Sequence, residues 1–137
     1  MGVFWAAAGG CGEQANARDE VNALITSLNA VSDDGSFVER SAALDRLNQL
    51  ALHFPAHLQA REVCSEAHKG LLEAEIAQTE ARQALASISD DDAPKLEKMQ
   101  ADSIAADIER SNRALAKAKE RFPECEKAMR DLVRETR

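Results

Sequence analysis

Cys64, Leu71, Gln78 and Leu85 fall seven residues apart, and Ala67, Ala74, Ala81 and Ile88 follow three behind each. A repeat of seven with a three-residue offset keeps two adjacent rows of side chains on one helical stripe, the seam of a coiled coil. A second stretch repeats the pattern. Ala101, Ile108, Leu115, Phe122 and Met129 are seven apart, with Ile104, Ser111, Ala118, Cys125 and Leu132 three further on. Two matched seams joined by a short turn predict an antiparallel helical hairpin, about 40–50 Å long at 1.5 Å per residue. Alanine in one of the two rows lets the helix axes approach closely.

The rest of the chain fits the same class. Glycine is nearly gone after Gly35, leaving Gly70, and the three prolines stand at 55, 94 and 123. Good helix formers dominate and β-branched residues are few, which disfavours strands. Val21, Leu24, Ile25, Leu28 and Val31 recur at helical spacing and predict a first helix over Glu13–Val31. Ser32-Asp33-Asp34-Gly35 ends it, with the glycine free to take positive φ. Ser36 followed by Glu39 fits a capping box that opens a second helix, with Phe37, Leu44, Leu47 and Ala51 on one side and an end before Pro55. Pro55 suits the first turn of a third helix, over about 56–88, and Pro94 that of a fourth, over about 94–121, with Pro123 either kinking the fourth or starting a fifth. Gly70 weakens the third helix by about 1 kcal/mol without breaking it. The predicted fold is all-α: an antiparallel bundle built on a long hairpin, with two shorter N-terminal helices beside it. Residues 1–12 form a leader or anchor segment and 13–137 one domain.

Charge narrows the partners. The net charge is −7, against the clustered Lys and Arg that a nucleic-acid surface needs. Residues 1–109 carry 8 basic and 19 acidic side chains, whereas residues 110–137 carry 9 and 5. The basic segment either lies on its own acidic helices or meets an anionic surface. The second periodicity is Phe54-Pro55 against Phe122-Pro123, 68 residues apart, or twice 34. ALDRLNQLALHFP and RALAKAKERFP resemble second helices of tetratricopeptide repeats, whose period is 34. That resemblance implies a stacked, peptide-binding solenoid as the alternative fold.

Near the start, Ala8-Gly9-Gly10-Cys11 follows the apolar Val3-Phe4-Trp5-Ala6-Ala7-Ala8. These residues resemble a bacterial lipobox, in which small side chains let a peptidase bind an extended segment ahead of a cysteine that becomes lipidated. The resemblance implies a lipid on Cys11 and anchorage in the bacterial cell envelope, facing the periplasm or exterior. The other reading is a leader with an incidental cysteine and a cytoplasmic protein. Export would deliver Cys64 and Cys125 to an oxidising compartment, where a disulfide could staple the open end of the hairpin. A turn centred near residue 91 or 92 sets Cys64 opposite residue 119, about 9 Å from Cys125 along the axis, so a wider turn or a bend at Pro123 has to close the gap.

Chemistry has little foothold. Cys64 and His68 are one helical turn apart, and Cys125 could complete a zinc or haem set that His57 does not easily reach. This is the alternative to a chain with no cofactor, as no CxxC or HExxH occurs. Asp90-Asp91-Asp92 suits a helix N-terminus better than a calcium loop, whose alternating ligands and glycine are missing. No GxSxG elbow or glycine-rich phosphate loop appears. The sequence therefore reads as a non-enzymatic spacer or docking protein that recognises another protein helix to helix, or a second copy of itself.

Overall fold

The computed structural model describes residues 2–32, 34–88 and 98–137, with the side chains of residues 1–15 outside the description. It is all-helical among those residues: α1 (Gly2–Ser32), α2 (Phe37–Asn48), α3 (Pro55–Ala86) and α4 (Lys98–Glu135). At 1.5 Å per residue, α3 and α4 are about 48 and 57 Å long. They form the antiparallel hairpin: Cys64 pairs with Cys125, Glu66 with Arg121 and Glu80 with Arg110. Positions 94 and 95 lie halfway between the partners of the cysteine pair, about three residues beyond the expected centre near 91 or 92. That shift of register removes the 9 Å offset and lets the cysteines face each other. Residues 89–97, including Asp90-Asp91-Asp92 and Pro94, lie outside the described residues.

Three boundaries differ from the sequence reading. The first helix extends upstream of Glu13 and is not short, since α1 has 31 residues. The second ends at Asn48, and Ala51 is exposed outside it. Tertiary bonds take over there: the Arg61 guanidinium donates to the Leu50 carbonyl at 2.6 Å and the His53 N–H donates to Glu20 at 2.7 Å. The fourth runs through Pro123, which is exposed and costs the helix one backbone donor without ending it. The Ser36 half of the capping box forms, its hydroxyl accepting the Glu39 N–H at 3.2 Å. Gly35, however, does not take positive φ. The continuous α3 also overturns the tetratricopeptide alternative, which needs a turn within residues 58–91.

The seam closes on a different pair of rows from the one the heptads suggest. Ala67, Ala74 and Ala81 are buried, as are Ile104, Ser111, Ala118, Cys125 and Leu132. The second buried row of α3 beyond Cys64 is Gly70 and Ala77, and Ala114 joins from α4. Leu71, Gln78 and Leu85 are exposed, and so is Ile108. The cause is size. A Cβ built on Gly70 would meet the Ala114 carbonyl oxygen at 3.0 Å and the Ala118 Cβ at 3.1 Å, so only glycine lets the helices come this close. Rolling onto the smaller rows brings the backbones together and turns the larger side chains outward.

α1 and α2 cover the flank of the hairpin at the end away from the connection. There Val21, Leu24, Val31, Leu44 and Leu47 pack with Leu72 and Leu132, while Met129 and Val133 lean on the cluster. The thick apolar core of the molecule is this junction, not the seam. Arg18 donates to the Thr136 carbonyl at 3.0 Å, which ties α1 to the last turn of α4.

Candidate functional site

The sulfurs lie at the junction of seam and core. Cys64 and Cys125 are joined in a disulfide with their Cα atoms 4.7 Å apart, within the normal span. Both are buried. Their bonding withdraws both thiolates from the alternative metal set with His68, and no group of three His, Cys, Asp or Glu among the described residues could hold a metal ion. His68, one turn past Cys64, meets the Phe122 ring edge-on at 5.1 Å. Burial pushes its imidazole below the ordinary value, which keeps it neutral at neutral pH.

His68 and Phe122 border an open cavity of about 470 Å³, shared with Val31, Gly35, Arg40 and Leu71. Arg40 is already engaged. Its Nη2 donates to both Glu75 oxygens at 2.7 and 2.6 Å, and its Nε donates to the Gly35 carbonyl at 3.1 Å. This bidentate pair locks the α1–α2 turn onto α3 and marks where the N-terminal helices stop covering the hairpin.

Beyond that lock, among the described residues, no helix covers the groove between α3 and α4. Leu85 (52% exposed) and Ile108 (47%) stand there. Between the helices lies a groove of about 240 Å³ lined by Gln78, Ala81, Arg82, Leu85, Ile108 and Ser111, among others. The Ser111 hydroxyl, in a residue 2% exposed, has no hydrogen-bond partner. Two small-residue helices flanked by Leu85 and Ile108 thus leave an open groove between them.

A second polar cluster holds α1 to the start of α3. The Glu20 carboxylate takes the His53 N–H at 2.7 Å and faces Nδ1 of His53 and of His57, each at 3.4 Å. Burial alone would raise this carboxyl. The His53 backbone N–H and the two imidazoles outweigh it and hold the group below its ordinary value. His57 is therefore spent on Glu20 inside the core, which explains why it takes no part beside Cys64. Sequence reasoning missed this cluster because its members are 33 and 37 residues apart, and nothing in the local pattern of α1 marks Glu20 as buried.

The Cys11 side chain lies outside the described residues. No described helix is long and apolar enough to cross a membrane. Compared with protein-family models, with curated proteins and with solved structures, the chain finds no match.

Proposed function

We propose that the protein is a non-enzymatic helical spacer, anchored in the bacterial cell envelope through a lipid on Cys11, that docks another protein on the outer half of its hairpin. The observation that carries the docking is the exposed apolar pair Leu85 and Ile108 on the groove that holds the unpartnered Ser111 hydroxyl. A helix laid there would bury both side chains. The location is supported by the Cys64–Cys125 disulfide, since such bonds persist in oxidising compartments, and by the small residues ahead of Cys11.

Two measurements test the reading. The intact mass of the protein extracted from its native host reports the anchor. A mature chain that begins at Cys11 and carries acyl chains supports it, and an unprocessed soluble chain removes it. Replacing Leu85 and Ile108 by Asp reports the docking. Both are exposed, so the urea midpoint should hold while cross-linking to the envelope partner is lost. Unchanged cross-linking would place the partner elsewhere. A second copy as the occupant would appear as a dimer in sedimentation, abolished by the same pair.

A further inference from the structure

The two buried histidines differ in company. His57 has the Glu20 carboxylate beside it. His68 is 8% exposed, yet neither of its ring nitrogens hydrogen-bonds to a described residue. Neither nitrogen is sealed in, so the ring meets the cavity of about 470 Å³ that it lines. A neutral imidazole carries one N–H donor and one lone pair, and both are costly to leave unanswered. The cavity walls are held from two sides. His68 is one turn past Cys64 and Phe122 one turn ahead of Cys125, so the disulfide fixes the two rings across the seam. The Arg40–Glu75 pair holds the α1–α2 turn on the other side. Val31, Leu71 and Leu72 supply apolar surface, and the Nη1 N–H groups of Arg40 are used by none of its bonds.

We infer that this cavity binds a small uncharged molecule with an apolar body and a hydroxyl group. Its volume lies in the range of about 300–1,000 Å³ usual for ligand pockets. Val31, Leu71, Leu72 and the Phe122 ring take the apolar body. A hydroxyl both donates and accepts, so it answers the imidazole in either tautomer and can accept from the Arg40 Nη1 as well. Charge is not called for. The guanidinium is matched by Glu75, the imidazole is neutral, and the exposed Asp34 is already engaged. An anion would compete with Glu75 for the guanidinium, and a cation would meet the guanidinium itself. Walls fixed by a disulfide and a bidentate ion pair leave little ordering cost for binding. The site is separate from the groove proposed for docking and independent of the anchor: the Arg40–Glu75 lock lies between it and Leu85 and Ile108.

The test uses the full chain with its disulfide intact. The probe is p-cresol, and toluene is the same ring and methyl group without the hydroxyl. With three histidines in the chain, their ring signals are resolved in carbon–proton NMR spectra. p-Cresol should move the His68 signals with a dissociation constant of about 1 mM and leave those of His53 and His57 in place. Toluene, followed by the same signals, should bind about tenfold more weakly, the worth of one hydrogen bond. His68→Phe keeps an apolar ring at the position. In that variant, read from the Leu71 and Leu72 methyl signals, p-cresol should fall to the level of toluene while toluene itself holds. No saturable movement of the His68 signals in the millimolar range, equal movement of all three histidines, or toluene binding the parent as tightly as p-cresol would overturn the inference. So would undiminished p-cresol binding in a folded His68→Phe; the comparison of the two probes on the parent stands without the variant.

Discussion

Replacing both Cys64 and Cys125 by alanine probes the bond that closes the hairpin. The cysteines are 61 residues apart in sequence. In the chain-entropy model, cross-linking a loop of that length restricts the unfolded chain by about 4 kcal/mol. The folded state should lose little beyond this. Both positions face the seam beside Ala67 and Ala118, where alanine is already the fitting size. With a urea slope of about 2 kcal/mol per molar, the midpoint should fall by about 2 M. The slope itself should rise, because an uncrosslinked chain exposes more surface on unfolding. Equilibrium urea denaturation followed by circular dichroism measures both. Reduction alone is a poorer test, since the buried sulfurs meet reductant only when the hairpin opens. The double replacement is also cleaner than either single one, which would leave the other cysteine as a free thiol. A midpoint within about 0.5 M of the parent would refute the reasoning, because it would mean that the two cysteines are not bonded in the folded protein.

Three further outcomes follow from the packing. Glu20→Gln should cost about 2 kcal/mol in urea denaturation through loss of charge-assisted hydrogen bonds. The parent carboxyl is held below its ordinary value of 4.5, so its contribution is full above that pH and is lost as pH falls through the lowered folded value. The variant should therefore lose less stability than the parent on acidification below 4.5, and parallel acid titrations would contradict the assignment. Gly70→Leu should destabilise by at least about 2 kcal/mol, because its first side-chain atom already meets the Ala114 carbonyl oxygen at 3.0 Å; an unchanged melting curve would show that the helices are further apart. Ser111→Ala should stabilise by about 1 kcal/mol, since it removes a buried hydroxyl that has no partner and adds the better helix former. A loss of stability on calorimetry would show that the hydroxyl is bonded.

The heptads made the class of fold and the antiparallel pairing legible, along with one correct row on each helix. Ala67, Ala74 and Ala81 and the row from Ile104 to Leu132 are buried where the spacing puts them. The partner row was not legible. Leu71 and Leu85 look like core in a pattern that scores hydrophobicity, yet the closing row is Gly70 and Ala77. Which of two flanking rows closes depends on the distance between axes, and that depends on all the facing side chains at once. Cys64 and Cys125 were identifiable as partners, but their register hinged on a connection whose centre no local signal states. The end of the second helix was lost for a related reason: the groups that stop it, Glu20 and Arg61, come from other helices.

The alanine seam explains why the disulfide and the bare trough occur together. Burial stabilises by about 0.8 kcal/mol per methylene, so a seam of Gly70, Ala74, Ala77 and Ala81 gives each turn of helix little hydrophobic stabilisation. The bulky side chains that would have supplied it point to one side. Over the first half of α3 that side is filled by α1 and α2, and the Leu24–Leu47–Leu72 core forms there. The Cys64–Cys125 bond lies beside that core and holds the two helices in register where their contact with the rest of the fold begins. Past the Arg40–Glu75 lock, among the described residues, the hairpin has neither a covering helix nor a large buried side chain in its α3 row. It is the part with the least to lose by opening slightly and the most apolar surface to gain by burying Leu85 and Ile108 under a third helix. A partner bound there would add the layer that the chain supplies for itself at the other end.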